Sequence, residues 1–133
     1  MGKYFQTQDD IFFIFDSEDW KAENIKTFPA NYSGNAKEFI RVNIVLGDKG
    51  VNRISISGQL IIDIFTKADE GPAKGHQLSD ILDSFLENKS RQVNNTTTQF
   101  FTSNMTPQGK DTLNPSLFRY QYVIPFSHFG VFQ

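Results

Sequence analysis

The sequence predicts an α+β domain, an antiparallel β-sheet that contains a long hairpin and has one main amphipathic helix packed on it. Three observations lead there. Phe occurs 14 times against 7 for Leu in 133 residues, which tilts the apolar content toward an aromatic that favours strands. Three stretches alternate apolar and polar residues with a period of two, and one repeats with a period near 3.6. With 38% hydrophobic and 21% charged residues and a formal net charge of -2, one domain spanning 1–133 accounts for the whole chain.

Residues 1–23 carry six acids against Lys3 and Lys21, so the remainder of the chain is net positive. A solvated acidic face is the plainer account of that polarity, and orientation of one subunit against another is the alternative. Within it, Ile11 to Phe15 is an apolar run that fits a buried strand or a short helix capped by Thr7, with Asp10 three residues on; it is read as a strand. Asn24 to Asn35, punctuated by Pro29 and Gly34, reads as an extended connector ending in a turn.

Lys37 to Leu46 then sets Ile40, Val42, Ile44 and Leu46 on one face, the period of a half-buried strand. Gly47 to Gly50 reads as a turn, and Arg53 to Thr66 resumes the alternation with Ile54, Ile56, Leu60, Ile62 and Ile64 inward, giving a long hairpin. Gly58 falls where an inward side chain is expected, so a bulge or a close backbone approach is predicted there. After a turn at Ala68 to Pro72, Leu78, Ile81, Leu82, Phe85 and Leu86 recur at helical spacing. Lys89 and Arg91 follow, where cations suit the helix dipole. Gln92 to Thr97 reads as an Asn/Thr-rich loop and Thr98 to Thr102 as a short strand. Ser103 to Ser116, with Pro107, Gly109 and Pro115, reads as a long exposed loop. Leu117 to Phe126 is a final strand, placed at an edge or ending near Pro125 because proline has no N–H to donate.

The chemistry of catalysis is sparse. The absence of cysteine removes disulfides, thiolate nucleophiles and Cys-ligated metals. His76 and His128 lack metal-site spacing and read as surface or capping residues. Gly71 and Gly75 match no phosphate-binding motif and read as turn and helix entry. Asp80, Asp83 and Glu87 share a helix face; paired carboxylates can cleave glycans, but a solvated amphipathic face predicts the same residues. The Asn-x-Ser/Thr sites at Asn31, Asn88, Asn94, Asn95 and Asn104 read as composition. Phe118, Tyr120 and Tyr122 read as a core face rather than a base-stacking platform, since Arg119 alone interleaves. The expectation is a chain that is not an enzyme and takes no metal or cofactor. No apolar run approaches the ~20 residues of a membrane helix, and Met1 to Asp10 lacks the order of a signal peptide, so a cytosolic protein is expected.

The order of connector Asn24-Ile25-Lys26-Thr27-Phe28-Pro29, strand Phe39-Ile40-Arg41-Val42, strand Gly58 to Phe65, turn Glu70-Gly71-Pro72 and helix Leu78 to Leu86 resembles the tail terminator family of long-tailed bacteriophages. The likeness spans about residues 24 to 90, and the closing stretch Arg119 to Ile124 is similar in style. Family members commonly begin with an amphipathic helix, where this chain has the run read as a strand. The resemblance implies an α+β subunit of a virion, assembled in the host cytoplasm into a six-fold homo-oligomeric ring on the head-proximal end of the tail tube. Such a ring ends tube polymerisation and presents a surface to the head connector, and DNA passes through its lumen without specific binding. A head–tail connector or stopper protein is the alternative within phage assembly, and a small glycan-binding or glycan-cleaving β-domain the alternative outside it. Contacts to tube and neck proteins are expected on the hairpin tip (Asp48, Lys49, Asn52) and the long polar loop (Met105, Gln108, Lys110), because binding residues concentrate on loops held by rigid scaffolds.

Overall fold

Period-two alternation in three stretches produces the three central strands of a seven-stranded sheet. The computed structural model describes residues 3–29, 38–49, 55–68, 72–93, 95–112 and 115–129. Its elements run α1 (Lys3–Phe15), α2 (Glu18–Lys21), β1 (Thr27–Pro29), β2 (Phe39–Lys49), β3 (Ser55–Lys67), α3 (Ala73–Leu86), β4 (Ser90–Val93), β5 (Thr96–Phe100), β6 (Asn104–Lys110) and β7 (Leu117–Phe129). The strand order is β1-β2-β3-β7-β5-β4, with β6 also paired to β7. All pairs are antiparallel except β1 with β2. The predicted α+β class and the hairpin β2–β3 are present.

Alternation sorts the side chains into two faces. Ile40, Val42, Leu60, Ile62, Ile64, Tyr120, Tyr122, Ile124 and Phe126 lie on one, buried with Ile11, Ile14, Phe15 and Trp20 from α1 and α2 and Leu78, Leu82 and Leu86 from α3. The other face holds a smaller cluster of Phe39, Phe65 and Leu117, with Phe28 against it. There Phe39 stacks on its cross-strand partner Phe65, ring centroids 4.6 Å apart.

The first correction is the N-terminus, where α1 replaces the strand read at Ile11 to Phe15. Its buried residues are Thr7, Asp10, Ile11, Ile14 and Phe15, which is a full helical period. Two of the five are polar, so hydrophobicity alone shows only the short run at its end. Thr7 is not a cap; its hydroxyl donates to the Lys3 carbonyl one turn back, at 2.6 Å.

At the hairpin, Gly47 to Lys49, read as part of a turn, belong instead to β2, with a register shift between Leu46 and Asp48; Gly50 lies outside the described residues. The predicted close approach at Gly58 is found, since a Cβ there would lie 2.2 Å from the Val45 carbonyl oxygen. Gly75 is corrected. It lies inside α3 on the buried side, where a Cβ would meet the Tyr120 ring at 2.3 Å, so it lets the helix approach β7 rather than begin the helix.

The Asn/Thr loop is the hairpin β4–β5, with Val93 paired to Thr96. The long loop is also corrected, because residues 104–110 form β6, Asn104 opposite Val123 through Lys110 opposite Phe118. Proline-bearing polar stretches read as loops, yet an edge strand tolerates them. Pro125 lies in the middle of β7, between β3 and the junction of β5 and β6. Its carbonyl accepts from Phe101 N at 3.0 Å, so its nitrogen faces the same junction, where β5 has ended and β6 has not begun. No ladder hydrogen bond is lost there.

Candidate assembly surfaces and polar clusters

Where elements cross, polar side chains hold them, and three such clusters define what the surface can do. Asp10 faces inward from α1 and accepts from the Thr96 hydroxyl on β5, while His128 Nε2 on β7 lies 2.8 Å from its Oδ2. His128 is fully buried, which corrects the reading of it as a surface or capping residue. The pair fixes α1 over the end of β7. His76 is exposed and packs edge-on to Tyr120.

The second cluster joins α3 to the crossover between β5 and β6. The Tyr122 hydroxyl donates to Asp83 Oδ1 at 2.5 Å. Ser103 Oγ lies 2.6 Å from the same oxygen and 2.9 Å from Glu87 Oε2, and the Ser103 amide donates to Glu87 at 3.0 Å. Burial, then the bond to Asp83, push the Tyr122 hydroxyl pKa well above its ordinary value. Asp83 and Glu87 are therefore not a solvated face; Asp80 is exposed as expected. Asn88, at φ 56°, turns the chain after α3 and its amide bonds Phe101 O. Arg91 donates through Nη2 and Nε to the Phe85 carbonyl at the helix end, at 2.6 and 3.2 Å, the dipole-compensating position expected of it.

The third cluster sits on the sheet face that carries no helix of the described residues. Arg119 donates to Asp63 Oδ1 through Nε and Nη2 at 3.1 and 2.8 Å, and Arg41 Nη2 reaches Oδ2 at 3.2 Å. The Arg41 guanidinium also lies over the Phe65 ring, 5.1 Å from its centroid. Sequence reasoning placed Arg41 and Arg119 on strands without pairing them, because their shared partner depends on the register of β2, β3 and β7.

Of the expected contact residues, Asp48 and Lys49 end β2, opposite Ser57 and Ile56, and Asn52 lies outside the described residues. Gln108 and Lys110 are exposed on β6. Met105 is half-buried opposite Tyr122 and packs against the core, so it is a support for β6 rather than an exposed loop residue.

Two surfaces were not anticipated. On α1, Tyr4, Phe5 and Phe13 are 59%, 55% and 59% exposed; Phe5 and Phe13 share the outer face with Asp9 and Asp16, while Tyr4, on the other side of the helix near its start, has Lys3 Nζ over its ring. The second is a cleft of about 580 Å³ between the 23–26 connector, the start of β2, the end of β3 and α3. Ile25, Phe39, Leu78 and Ile81 give it an apolar floor, and Lys26, Lys67 and Lys74 with Glu23 and Glu38 form its charged rim.

Among the described residues no group of three or more His, Asp or Glu is placed to hold a metal ion, and no helix is long and apolar enough to cross a membrane. No family model matches the chain, and no curated protein matches its sequence. A solved structure of a protein with no stated function is similar to it, with a TM-score of 0.70 and 13% identity over 95% of this chain and 98% of that one. At that identity the likeness establishes a shared fold over nearly the whole of both chains.

Proposed function

We propose that this chain is a tail-terminator subunit, which forms a homo-oligomeric ring on the head-proximal end of a phage tail tube, ends tube growth and offers a surface to the head connector. The observation that carries this reading is α1. A leading amphipathic helix is common among tail terminators and was absent from the reading of the sequence; in this chain α1 precedes the connector, the hairpin β2–β3, α3 and the closing strand in the expected order. The glycan-cleaving alternative has less support, because Asp83 and Glu87 are engaged with Tyr122 and Ser103 in tying α3 to the sheet. The neck and tube contacts are assigned to the β2–β3 tip and to Gln108 and Lys110 on β6.

Sedimentation across a concentration series, with and without tube protein, tests the reading. A discrete ring, or a monomer in equilibrium with one, is expected; a monomer under every condition would sink it. Replacing Asp48, Lys49 and Asn52 with Ser, or Gln108 and Lys110 with Ser, should leave the melting temperature nearly unchanged and abolish tail length control in complementation. Tails of normal length from both variants would remove these residues from the interface.

A further inference from the structure

Resting on the ring reading, we infer that the contact between neighbouring subunits is head-to-tail, with the aromatic and acidic outer face of α1 in one copy seated in the lysine-rimmed cleft of the next. The occupant is a second copy of this chain.

Four observations support the pairing. Two aromatic rings on the outer face of α1, Phe5 and Phe13, are each more than half exposed, and apolar rings sharing one exposed face are a characteristic of surfaces that become covered. The cleft supplies the matching shape, a concavity floored by Ile25, Phe39, Leu78 and Ile81. Charge is complementary: Asp9 and Asp16 lie among the rings, whereas the cleft rim has three lysines against two glutamates. This gives a use to Asp9 and Asp16, two exposed acids of the acidic stretch 1–23.

Position is the fourth observation. The cleft is at the end of the sheet where Lys67 pairs with Leu117, and α1 is anchored through Asp10 at the other end, beside His128. Along β7 those ends are separated by roughly 35 Å at ~3.3 Å per residue. α1 also packs its Ile11, Ile14 and Phe15 side into its own core, so its outer face is turned away from its own molecule and is open to a second copy. A contact between two different patches is heterologous, and such contacts make a closed ring when the rotation closes. Charged steering by Asp9 and Asp16 would also disfavour helix-to-helix dimers, which bring acids together.

The test uses two double variants of the full chain, one in the helix face (Phe5→Ser with Phe13→Ser) and one in the cleft (Lys26→Glu with Lys74→Glu). Each alone should associate at least tenfold more weakly than the parent in sedimentation. Mixed in equal amounts they should form a dimer and nothing larger, since one intact helix face then meets one intact cleft. Adding Asp9→Lys and Asp16→Lys to the cleft variant should restore assembly, which separates a lost contact from a lost fold. Parent-like assembly of either double variant, or a mixture that stays monomeric, overturns the head-to-tail pairing while leaving the ring reading in place. A parent chain that never assembles overturns both.

Discussion

The two faces of the sheet each bury a carboxylate, and they do so by different means. Asp10 is 6% exposed on the inner side of α1, with one imidazole and one hydroxyl as partners. Asp63 is 7% exposed on the face without a helix, and two guanidiniums whose side chains are 28% and 33% exposed surround it. Both arginines can hold Asp63 and still reach water, and the Arg41 guanidinium also covers the Phe65 ring. Neither Thr96 nor His128 has that freedom. The covered face therefore fixes the position of an element, and the open face keeps charge available at its surface.

Removing each carboxylate should magnify the contrast. Asp10→Ala leaves the buried His128 Nε2 without its partner, while the Thr96 hydroxyl keeps the Val93 carbonyl at 2.8 Å, so a loss of about 3 kcal/mol, carried by His128, is expected. Chemical denaturation gives the value, and a loss below about 1 kcal/mol would mean that the pair does not hold α1. Next in size is Gly75→Ala, where a gain in helix propensity of ~1 kcal/mol is opposed by overlap with a buried tyrosine ring, for a net loss of roughly 1–2 kcal/mol. A stabilised variant would show that α3 can move off β7.

Tyr122→Phe removes the hydrogen bond to Asp83, with an expected loss of about 1–2 kcal/mol near neutral pH. Its pH dependence is a sharper measure. The folded-state pKa of Tyr122 is raised above the ordinary value of 10.0, so near and above pH 10 the unfolded chain releases a proton that the folded chain keeps. Stability is thus fully present below about pH 10 and falls as the pH rises beyond it. The variant should show a shallower fall, and identical alkaline slopes would contradict the buried hydroxyl. The smallest effect is expected from Asp63→Ala, roughly 1 kcal/mol because its partners are partly hydrated, and it should shrink further at high salt. A loss equal to that of Asp10→Ala would erase the distinction between the faces.

The elements legible in the sequence were those whose buried face is all apolar. Ile40 and Val42, Leu60 to Ile64, Leu78 to Leu86 and Tyr120 to Phe126 lie inward as their spacing predicts, and Gly58 marks a close approach. The misread elements bury polar groups or pair along an edge. The period of α1 includes Thr7 and Asp10, whose burial is possible only because Lys3, Thr96 and His128 supply partners.

Sequence by itself determined the α+β class, the two-faced strands and the seam on which α3 packs, because side-chain periodicity and the transfer of apolar surface from water are local properties of the chain. Tertiary structure alone decided which carboxylates are buried, where Pro125 is tolerated, that 104–110 is a strand, and that the connector, β2, β3 and α3 enclose a lysine-rimmed cleft. A buried polar group or an edge strand is stable only with a partner that is distant along the chain, 118 residues away for Asp10 and His128, and no local pattern specifies that partner.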